Sequence, residues 1–355
     1  MSEPSNGRPR LKRHLAIVAH SADVVELRHG TWNPVSFTLS DDSGTGALLG
    51  VLSRLDGRRS LGEVAAEAGV PRREVDKVVG QLAELDLIES RAEHMLDFYI
   101  DHMVPNLLPF GGEARAPETS MVVLGDGSVP EHLAALLQRS APGMSCEVLG
   151  ADHELRALLR DPDPWLYDGL TAEANMESFA GWRESFVAAA SARVDPCELR
   201  ALNRVALTHG FSWIHAAVDG PFLLVGPTFV PGRSACYECL DARVLMNMRE
   251  AGSYQSYKRA LAEGRVSGGL APLDATLESM LASHAAFESL NFLLTGAGFT
   301  VGKMLAIYLP TMEFTFNEVL RLPGCPACGP APERDDRELY FEVRALLNGD
   351  TPHSG

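Results

Sequence analysis

Short apolar strands followed by amphipathic helices make up the first 90 residues. Apolar runs at 15–20, 24–29 and 35–40 are separated by turn residues, which predicts three strands. Three helices should follow, at about 46–55, from Ser60 to Gly69 and after Pro71, and Ser60-Leu-Gly-Glu63 is a capping box at the second start. Leu87-Ile88 then predicts a short return strand, which completes a small domain over residues 11–90.

Strands and helices alternate between residues 120 and 330. Apolar runs predict strands at 121–127, 146–149, 165–167, 213–218 and 222–225, with one or two more in 304–315. Helical spacing occurs from 130, at 153–160, at 198–209 and at 273–294. This order predicts a doubly wound α/β domain with helices on both faces of the sheet. Residues 91–119, rich in proline and glycine, should be a linker, 1–10 and 331–355 tails, and 250–269 a loop.

Charge separates the two predicted domains. The chain has 355 residues and a formal net charge of −16, which argues against nucleic acid or an anionic membrane as its main partner. Residues 1–91 hold 12 basic and 13 acidic side chains, so most of the excess acid lies in the remainder. No apolar run reaches the roughly 20 residues of a membrane helix. Because the N-terminus is polar and has no apolar signal core, we expect a cytoplasmic protein.

Two Cys-x-x-Cys pairs lie far apart in the sequence: Cys236 with Cys239, and Cys325 with Cys328. Each pair presents two thiolates from one tight turn, and two such turns form the tetrahedral four-sulfur site that structural zinc prefers. A redox dithiol remains an alternative for each pair. Four thiolates leave no open position on the metal, so a structural role is predicted. The other two cysteines, Cys146 and Cys197, are read as small apolar residues.

The order of three strands and three helices over 11–90 resembles the winged-helix peptide-recognition element of ribosomal peptide natural-product pathways. The resemblance implies that a leader peptide adds as a strand to the third strand and packs against the third helix. The edge would be Val35, Ser36, Phe37, Thr38 and Leu39, and the groove wall Arg73, Lys77, Val78, Gln81 and Leu82. A core role is the alternative for Val78 and Leu82. A DNA-binding winged helix is a further alternative, but the acidic residues of the third helix oppose it.

The segment from Gly226 to Arg243, which contains the first cysteine pair, and the segment 323–329, which contains the second, resemble the ThiF/MoeB-like (ubiquitin-activating-type) family. That family places a zinc tetrathiolate beside a nucleotide-binding sheet. Fusion to a peptide-recognition domain narrows the resemblance to the ocin-ThiF-like partner of YcaO proteins in azole and azoline (TOMM) pathways. The peptide adenylase of the microcin C7 type shares the same two-part layout. The family's habit, together with the apolar helix at 273–294, implies a homodimer.

Active members of that family adenylate a carboxylate and need a glycine-rich turn for the phosphates of ATP. This chain has Gly125-Asp126-Gly127, lacks the third glycine, and places the negative charge of Asp126 where phosphate would lie. The family's Asn-x-x-Arg-Gln stretch is absent, and Asp168 is the candidate for its essential aspartate. ATP use by this chain is therefore not expected.

The function implied is that of a leader-binding, substrate-delivery subunit of an azoline-forming cyclodehydratase. A separate YcaO-type partner would use ATP, and this chain would be a non-catalytic component. Two alternatives stay open: an autonomous ATP-dependent peptide adenylase of the microcin C7 type, and a winged-helix DNA-binding regulator. His209 and His215 are expected in core or surface roles.

Overall fold

A computed structural model describes residues 7–32, 35–89, 120–166, 169–267, 273–296 and 298–329. The chain divides into two units, Met1–Ala114 and Arg115–Gly355. The predicted linker 91–119, the tail 331–355 and Asp168 lie outside the described residues.

The first unit contains the predicted strands and helices in the predicted order. Its elements are β1 (Arg10–Leu11), β2 (Ala16–Ala19), β3 (Val24–His29), β4 (Val35–Ser40), α1 (Leu48–Leu52), α2 (Leu61–Ala68), α3 (Arg72–Glu84) and β5 (Ile88–Glu89). An antiparallel sheet has the order β2-β3-β4, and β1 pairs with β5. Arg10, the last residue of the predicted tail 1–10, belongs to β1 and pairs with Glu89 of β5.

Local signals explain the helix boundaries of the first unit. Ser60 accepts a hydrogen bond from the backbone N–H of Glu63, whose carboxylate accepts one from the N–H of Ser60. Gly69 ends α2 in the left-handed conformation, with φ of 70°. Val25 and Leu27 of β3 are fully buried, and the three helices cover them.

The second unit is built around a seven-stranded sheet. Its elements are β6 (Ser120–Leu124), α4 (Val129–Ser140), β7 (Cys146–Leu149), α5 (Glu154–Arg160), α6 (Asp163–Leu166), α7 (Gly169–Glu177), β8 (Ser185–Ser191), α8 (Pro196–His209), β9 (Trp213–Asp219), β10 (Phe222–Phe229), α9 (Tyr237–Asn247), α10 (Ala251–Ala262), α11 (Ala275–Thr295), β11 (Lys303–Tyr308) and β12 (Glu313–Glu318). The strand order is β12-β11-β10-β9-β8-β6-β7.

Half of this sheet differs from the doubly wound arrangement that the sequence predicts. Strands β7, β6, β8 and β9 are parallel, whereas β9 to β12 pair antiparallel with their neighbours. Short turns join β9 to β10 and β11 to β12, which forces antiparallel pairing there, whereas the connection from β10 to β11 contains α9, α10 and α11. Helices cover both faces, as predicted: α8 packs on one, and α4 and α11 pack on the other. Among the described residues, no helix has the length and apolar character needed to cross a membrane.

Two predictions about the second unit were wrong, and one strand was missed. The strand expected at 165–167 is the short helix α6, and the loop expected at 250–269 contains the helix α10. The strand β8, which lies between β6 and β9, was not predicted at all. Its run Phe186-Val-Ala-Ala-Ala190 is buried on both faces and has no alternation, and alanine has little preference for strands.

Candidate functional sites

The four predicted cysteines come together between α9 and the segment after β12. Their sulfur atoms all lie within 4.8 Å of one another, and Cys236, Cys239 and Cys325 are buried. The Sγ–Sγ distance is 3.9 Å from Cys236 to Cys239, 3.7 Å from Cys236 to Cys325 and 3.6 Å from Cys239 to Cys328. A tetrahedral zinc with Zn–S bonds of about 2.3 Å requires sulfur atoms about 3.8 Å apart. The geometry therefore fits a metal such as zinc.

Backbone and side-chain contacts fix the two cysteine turns. Asn203 on α8 accepts a hydrogen bond from the N–H of Tyr237, which positions the start of α9 directly after Cys236. The N–H of Leu322 lies 3.3 Å from the sulfur of Cys239. The cysteine turns are thus held by residues of the same hydrophobic core as the sheet.

The protonation of the thiols shows why a cation suits this cluster. Burial raises the pKa of Cys236, and burial raises the pKa of Cys328 to about 11. Burial alone would raise the pKa of Cys325 as well, but N–H groups of Cys328 and Ala327 donate to it and lower its pKa. Four thiolates this close together need a compensating positive charge, which a divalent metal supplies. Cys146 and Cys197 lie apart from this cluster and are half-buried.

The glycine turn after β6 is packed against β8. A Cβ on Gly125 would lie 1.7 Å from the carbonyl oxygen of Ala190, so glycine is required there by the close approach of the two strands. The N–H of Asp126 donates to the hydroxyl of Ser191 at 3.0 Å. Ser128 bonds to the carboxylate of Glu278 on α11. At least one of the amides that would cradle a phosphate is therefore already engaged within the protein.

Asp126 belongs to a network of charges at the same turn. One of its carboxylate oxygens accepts hydrogen bonds from Arg156, at 2.8 Å, and from Arg160. Arg156 is 1% exposed and also donates to Glu198 at 3.0 Å. Burial raises the pKa of Glu198, and the neighbouring guanidinium of Arg156 acts in the opposite direction. The carboxylate of Asp126 thus occupies the place of an anion between two arginines.

A small pocket lies beside this network, at the carboxyl ends of β6 and β8. It encloses at most about 240 Å³, and its polar lining comes from Ser191, Arg193, Asp195, Glu198 and His215. Sites for drug-sized ligands usually measure roughly 300–1,000 Å³. The volume of this pocket lies below that range. The sequence patterns did not identify Arg193 and Asp195, because the strand β8 that precedes them was not predicted. The pair Asp195-Pro196 is a helix-start signal that could have located both residues.

His215 is buried in this pocket as a neutral base. Its Nδ1 donates to the carbonyl of Gly226 at 3.1 Å, and its Nε2 has no hydrogen-bond partner among the described residues. Burial lowers the pKa of His215 to about 4. In the unfolded chain its pKa would be about 6.5, so below that pH protons bind the unfolded state preferentially.

We therefore expect His215 to make the second unit less stable in mild acid. The stability that the neutral imidazole contributes is complete above pH 6.5 and is lost as the pH falls toward 4. At pH 5 the loss amounts to about 2 kcal/mol of the free energy of unfolding. Urea unfolding followed by tryptophan fluorescence at pH 7 and pH 5 measures this, because Trp165, Trp182 and Trp213 all lie in the second unit. The His215→Gln variant should lose that part of the pH dependence, whereas His132→Gln, on α4, should keep it. An unchanged difference in His215→Gln would contradict the assignment.

Removal of the Asp126 carboxylate should create an anion site. In the Asp126→Ala variant the two guanidinium groups face the glycine turn without their carboxylate, and breaking the pair should cost about 1–3 kcal/mol of stability. Inorganic phosphate should then raise the melting temperature by a few degrees, through binding to the folded state. The wild type and the exposed-site control Asp152→Ala should not respond. Equal shifts in all three proteins would show that Asp126 does not fill an anion position.

The predicted peptide edge lies on β4, the last strand of the first sheet. Phe37 pairs with Leu27 and Leu39 with Val25, so both point to the core face, where they are half-buried. Val35, Ser36 and Thr38 are exposed. The other edge of β4 pairs with no strand in the described parts of the chain. An added strand could therefore bond to β4 and place alternate side chains beside Phe37 and Leu39.

The residues predicted as the groove wall separate into two groups on α3. Leu82 is 1% exposed and packs in the hydrophobic core of the first unit. Val78 is half-buried, and Arg73, Lys77 and Gln81 are exposed along one stripe. Lys77 lowers the pKa of Asp41 at the end of β4, although hydrogen bonds from Ser43 contribute most to that shift. Of this cationic stripe, Lys77 therefore lies near the residue that follows β4.

No protein-family model matches this sequence, and no curated protein matches it. Solved structures share its fold. The heterocyclase TruD is 18% identical, with a TM-score of 0.64, covering 98% of this chain and 45% of that chain. A heterocyclase in complex with substrate and cofactor is 17% identical, with a TM-score of 0.65, covering 94% and 41%. Escherichia coli MccB with succinimide is 13% identical, with a TM-score of 0.50, covering 90% and 99%. This chain spans less than half of each heterocyclase chain.

Proposed function

We propose that this chain is a leader-peptide-binding, substrate-delivery subunit in the biosynthesis of a ribosomal peptide natural product. The open β4 edge, with Lys77 of α3 near its end, is the observation that carries the proposal. The first unit is proposed to be a winged-helix recognition element that binds the leader at that edge. Tethering the leader raises the effective concentration of the core peptide at the enzyme that modifies it.

The modifying enzyme is proposed to be a separate YcaO-type cyclodehydratase. Two solved heterocyclases share the fold of this chain but are more than twice as long, which fits a system in which the remaining part is a second polypeptide. That partner would use ATP to activate core amides, and cysteine, serine or threonine side chains would close to azolines with loss of water. The four cysteines hold a structural zinc in this scheme. The engaged glycine turn explains why this chain would not use ATP itself.

Reconstitution tests the proposal directly. Precursor peptide, ATP and the YcaO-type partner are incubated with and without this chain, and azoline formation is followed by mass spectrometry as loss of water. The expected result is efficient conversion only when this chain is present. Full conversion by the partner alone would overturn the delivery role.

An autonomous peptide adenylase is the second candidate. It is favoured by the fold shared with MccB, whose chain is covered over 99% of its length. Pyrophosphate exchange into ATP with the purified chain and precursor distinguishes the two candidates. Robust exchange would support the adenylase and contradict the interpretation of Asp126.

A further inference from the structure

The four-cysteine site holds more negative charge than a divalent metal can cancel. Four thiolates exceed the charge of such a cation by two, and three of the four cysteines are buried. Hydrogen bonds from N–H groups to the sulfur atoms spread this excess charge, and partners of this kind around a metal site raise metal affinity by about tenfold to a hundredfold. Each sulfur of the site should therefore have a donor.

Three of the four sulfur atoms accept a hydrogen bond from the backbone. These donors come from the cysteine turns themselves and from the segment just before the second pair. They are the N–H of Cys239 to Cys236, the N–H of Leu322 to Cys239 at 3.3 Å, and the N–H groups of Ala327 and Cys328 to Cys325.

The sulfur of Cys328 is the fourth, and no N–H group of the described backbone donates to it. The next residue, Gly329, donates its N–H to the carbonyl of Cys325 at 2.9 Å. The residue after that is Pro330, which has no N–H. A donor to the sulfur of Cys328 therefore has to come from elsewhere in the fold.

Asn203 on α8 has a buried donor of the required kind. Its Oδ1 accepts from the N–H of Tyr237 at 2.9 Å, which fixes the orientation of the amide because Nδ2 cannot accept that bond. Asn203 is 1% exposed, and its Nδ2 has no hydrogen-bond partner among the described residues. An unpaired N–H group in the interior is both costly and rare.

A cavity connects this amide with the cysteine site. It encloses at most about 240 Å³ and is lined by Asn203 together with Cys236 and Cys328. The hydroxyl of Ser234, which also lines it, already bonds to the backbone of residues 230–235. Most of the other side chains around it are apolar. A buried water molecule in such a place typically bridges polar groups that would otherwise be unsatisfied.

We propose that Asn203 is a positioning residue of the metal centre, whose Nδ2 donates through one water molecule in this cavity to the thiolate of Cys328. The water accepts from Nδ2 and donates to the sulfur, so both groups are satisfied. Because Oδ1 of the same side chain holds the start of α9, Asn203 connects the two cysteine turns. The inference rests on the metal site of the proposed function.

Metal affinity and cobalt spectra of the full chain test the inference. Asn203→Asp keeps an oxygen for the N–H of Tyr237 but places an acceptor where Nδ2 was, and Asn203→Leu removes both groups. In chelator competition both variants should bind zinc about tenfold to a hundredfold more weakly than the wild type. In the cobalt-substituted proteins the sulfur-to-cobalt charge-transfer band should move to longer wavelength, because each change raises the energy of the thiolate lone pair.

Ser289→Ala is the control. It removes a buried hydrogen bond on α11, outside the cavity, and should change neither the zinc affinity nor the cobalt spectrum. Unchanged affinity and spectra in both Asn203 variants would overturn the inference alone, as would an equal effect in Ser289→Ala. The zinc content of the wild type is measured first, because a wild type without metal would contradict the metal site itself and the inference with it.

A crystal structure of the zinc-loaded wild type tests the same contact without any substitution. It should show a water molecule within hydrogen-bond distance of both Nδ2 of Asn203 and the sulfur of Cys328. An Nδ2 that bonds to another group, or a sulfur of Cys328 with a different donor, would overturn the inference.

Discussion

Replacing Cys236 by serine should remove the metal from this chain and unfold much of its second unit. Cys236 is 4% exposed, and its Sγ lies 3.7 Å from the Sγ of Cys325. Loss of this sulfur therefore breaks the metal-mediated connection between α9 and the segment after β12. Structural zinc sites contribute about 10–16 kcal/mol of apparent binding free energy, which exceeds the stability of most domains. Zinc content should fall from one per chain to near zero, with strong loss of soluble protein. Elemental analysis and circular dichroism measure both effects.

Cys146→Ser is the control for the metal prediction. Cys146 is half-buried at the start of β7, and burial raises its pKa to about 11, as expected for an inert thiol outside the cluster. This variant should keep its zinc and lose at most about 1 kcal/mol of stability. A Cys236→Ser protein that folds normally would show that the four cysteines are not a structural metal site.

Reversing the charge of the α3 stripe should strongly weaken leader binding. The double variant Arg73→Glu with Lys77→Glu turns the surface beside the β4 edge from cationic to anionic. We expect the leader to place acidic side chains there, and the dissociation constant should rise about tenfold to a hundredfold. Both side chains are exposed, so the fold should be unaffected. Fluorescence anisotropy with a labelled leader peptide measures the change.

Arg58→Glu with Arg72→Glu makes the same change in net charge elsewhere on the first unit. Arg72 lies on α3 but is not part of the cationic stripe. Its Nε pairs with Oδ2 of Asp76 at 3.8 Å. This control should reduce affinity by no more than about threefold, through long-range charge alone. Equal losses in the two double variants would place the peptide somewhere other than the groove between β4 and α3.

Sequence patterns predicted the first unit well, because its signals are local. The capping box at Ser60, the glycine at 69 and the strand turns each act within a few residues. The four cysteines were also predictable, because their spacing encodes the chemistry of the site. Their convergence across 89 residues of sequence follows from the fact that a single pair cannot complete a tetrahedron.

Features that depend on tertiary contacts were not predictable. The strand β8 is recognisable only when both of its neighbours are in place, because its alanine-rich run suits a buried helix equally well. Arg193 and Asp195, which follow this strand, were not predicted for the same reason. Asp126 was predicted to oppose phosphate, but its pairing with Arg156 and Arg160 required the folded sheet. The same applies to Leu82, whose burial depends on how α3 packs.

Leader binding is measured by titrating the precursor's leader peptide into the purified chain. Calorimetry should show saturable one-to-one binding, with a dissociation constant on the order of micromolar or below, in the absence of ATP and of the cyclodehydratase partner. The Arg73→Glu with Lys77→Glu variant should weaken it, and the matched control should not. No detectable heat or binding at several hundred micromolar, with a folded and zinc-loaded protein, would contradict the account.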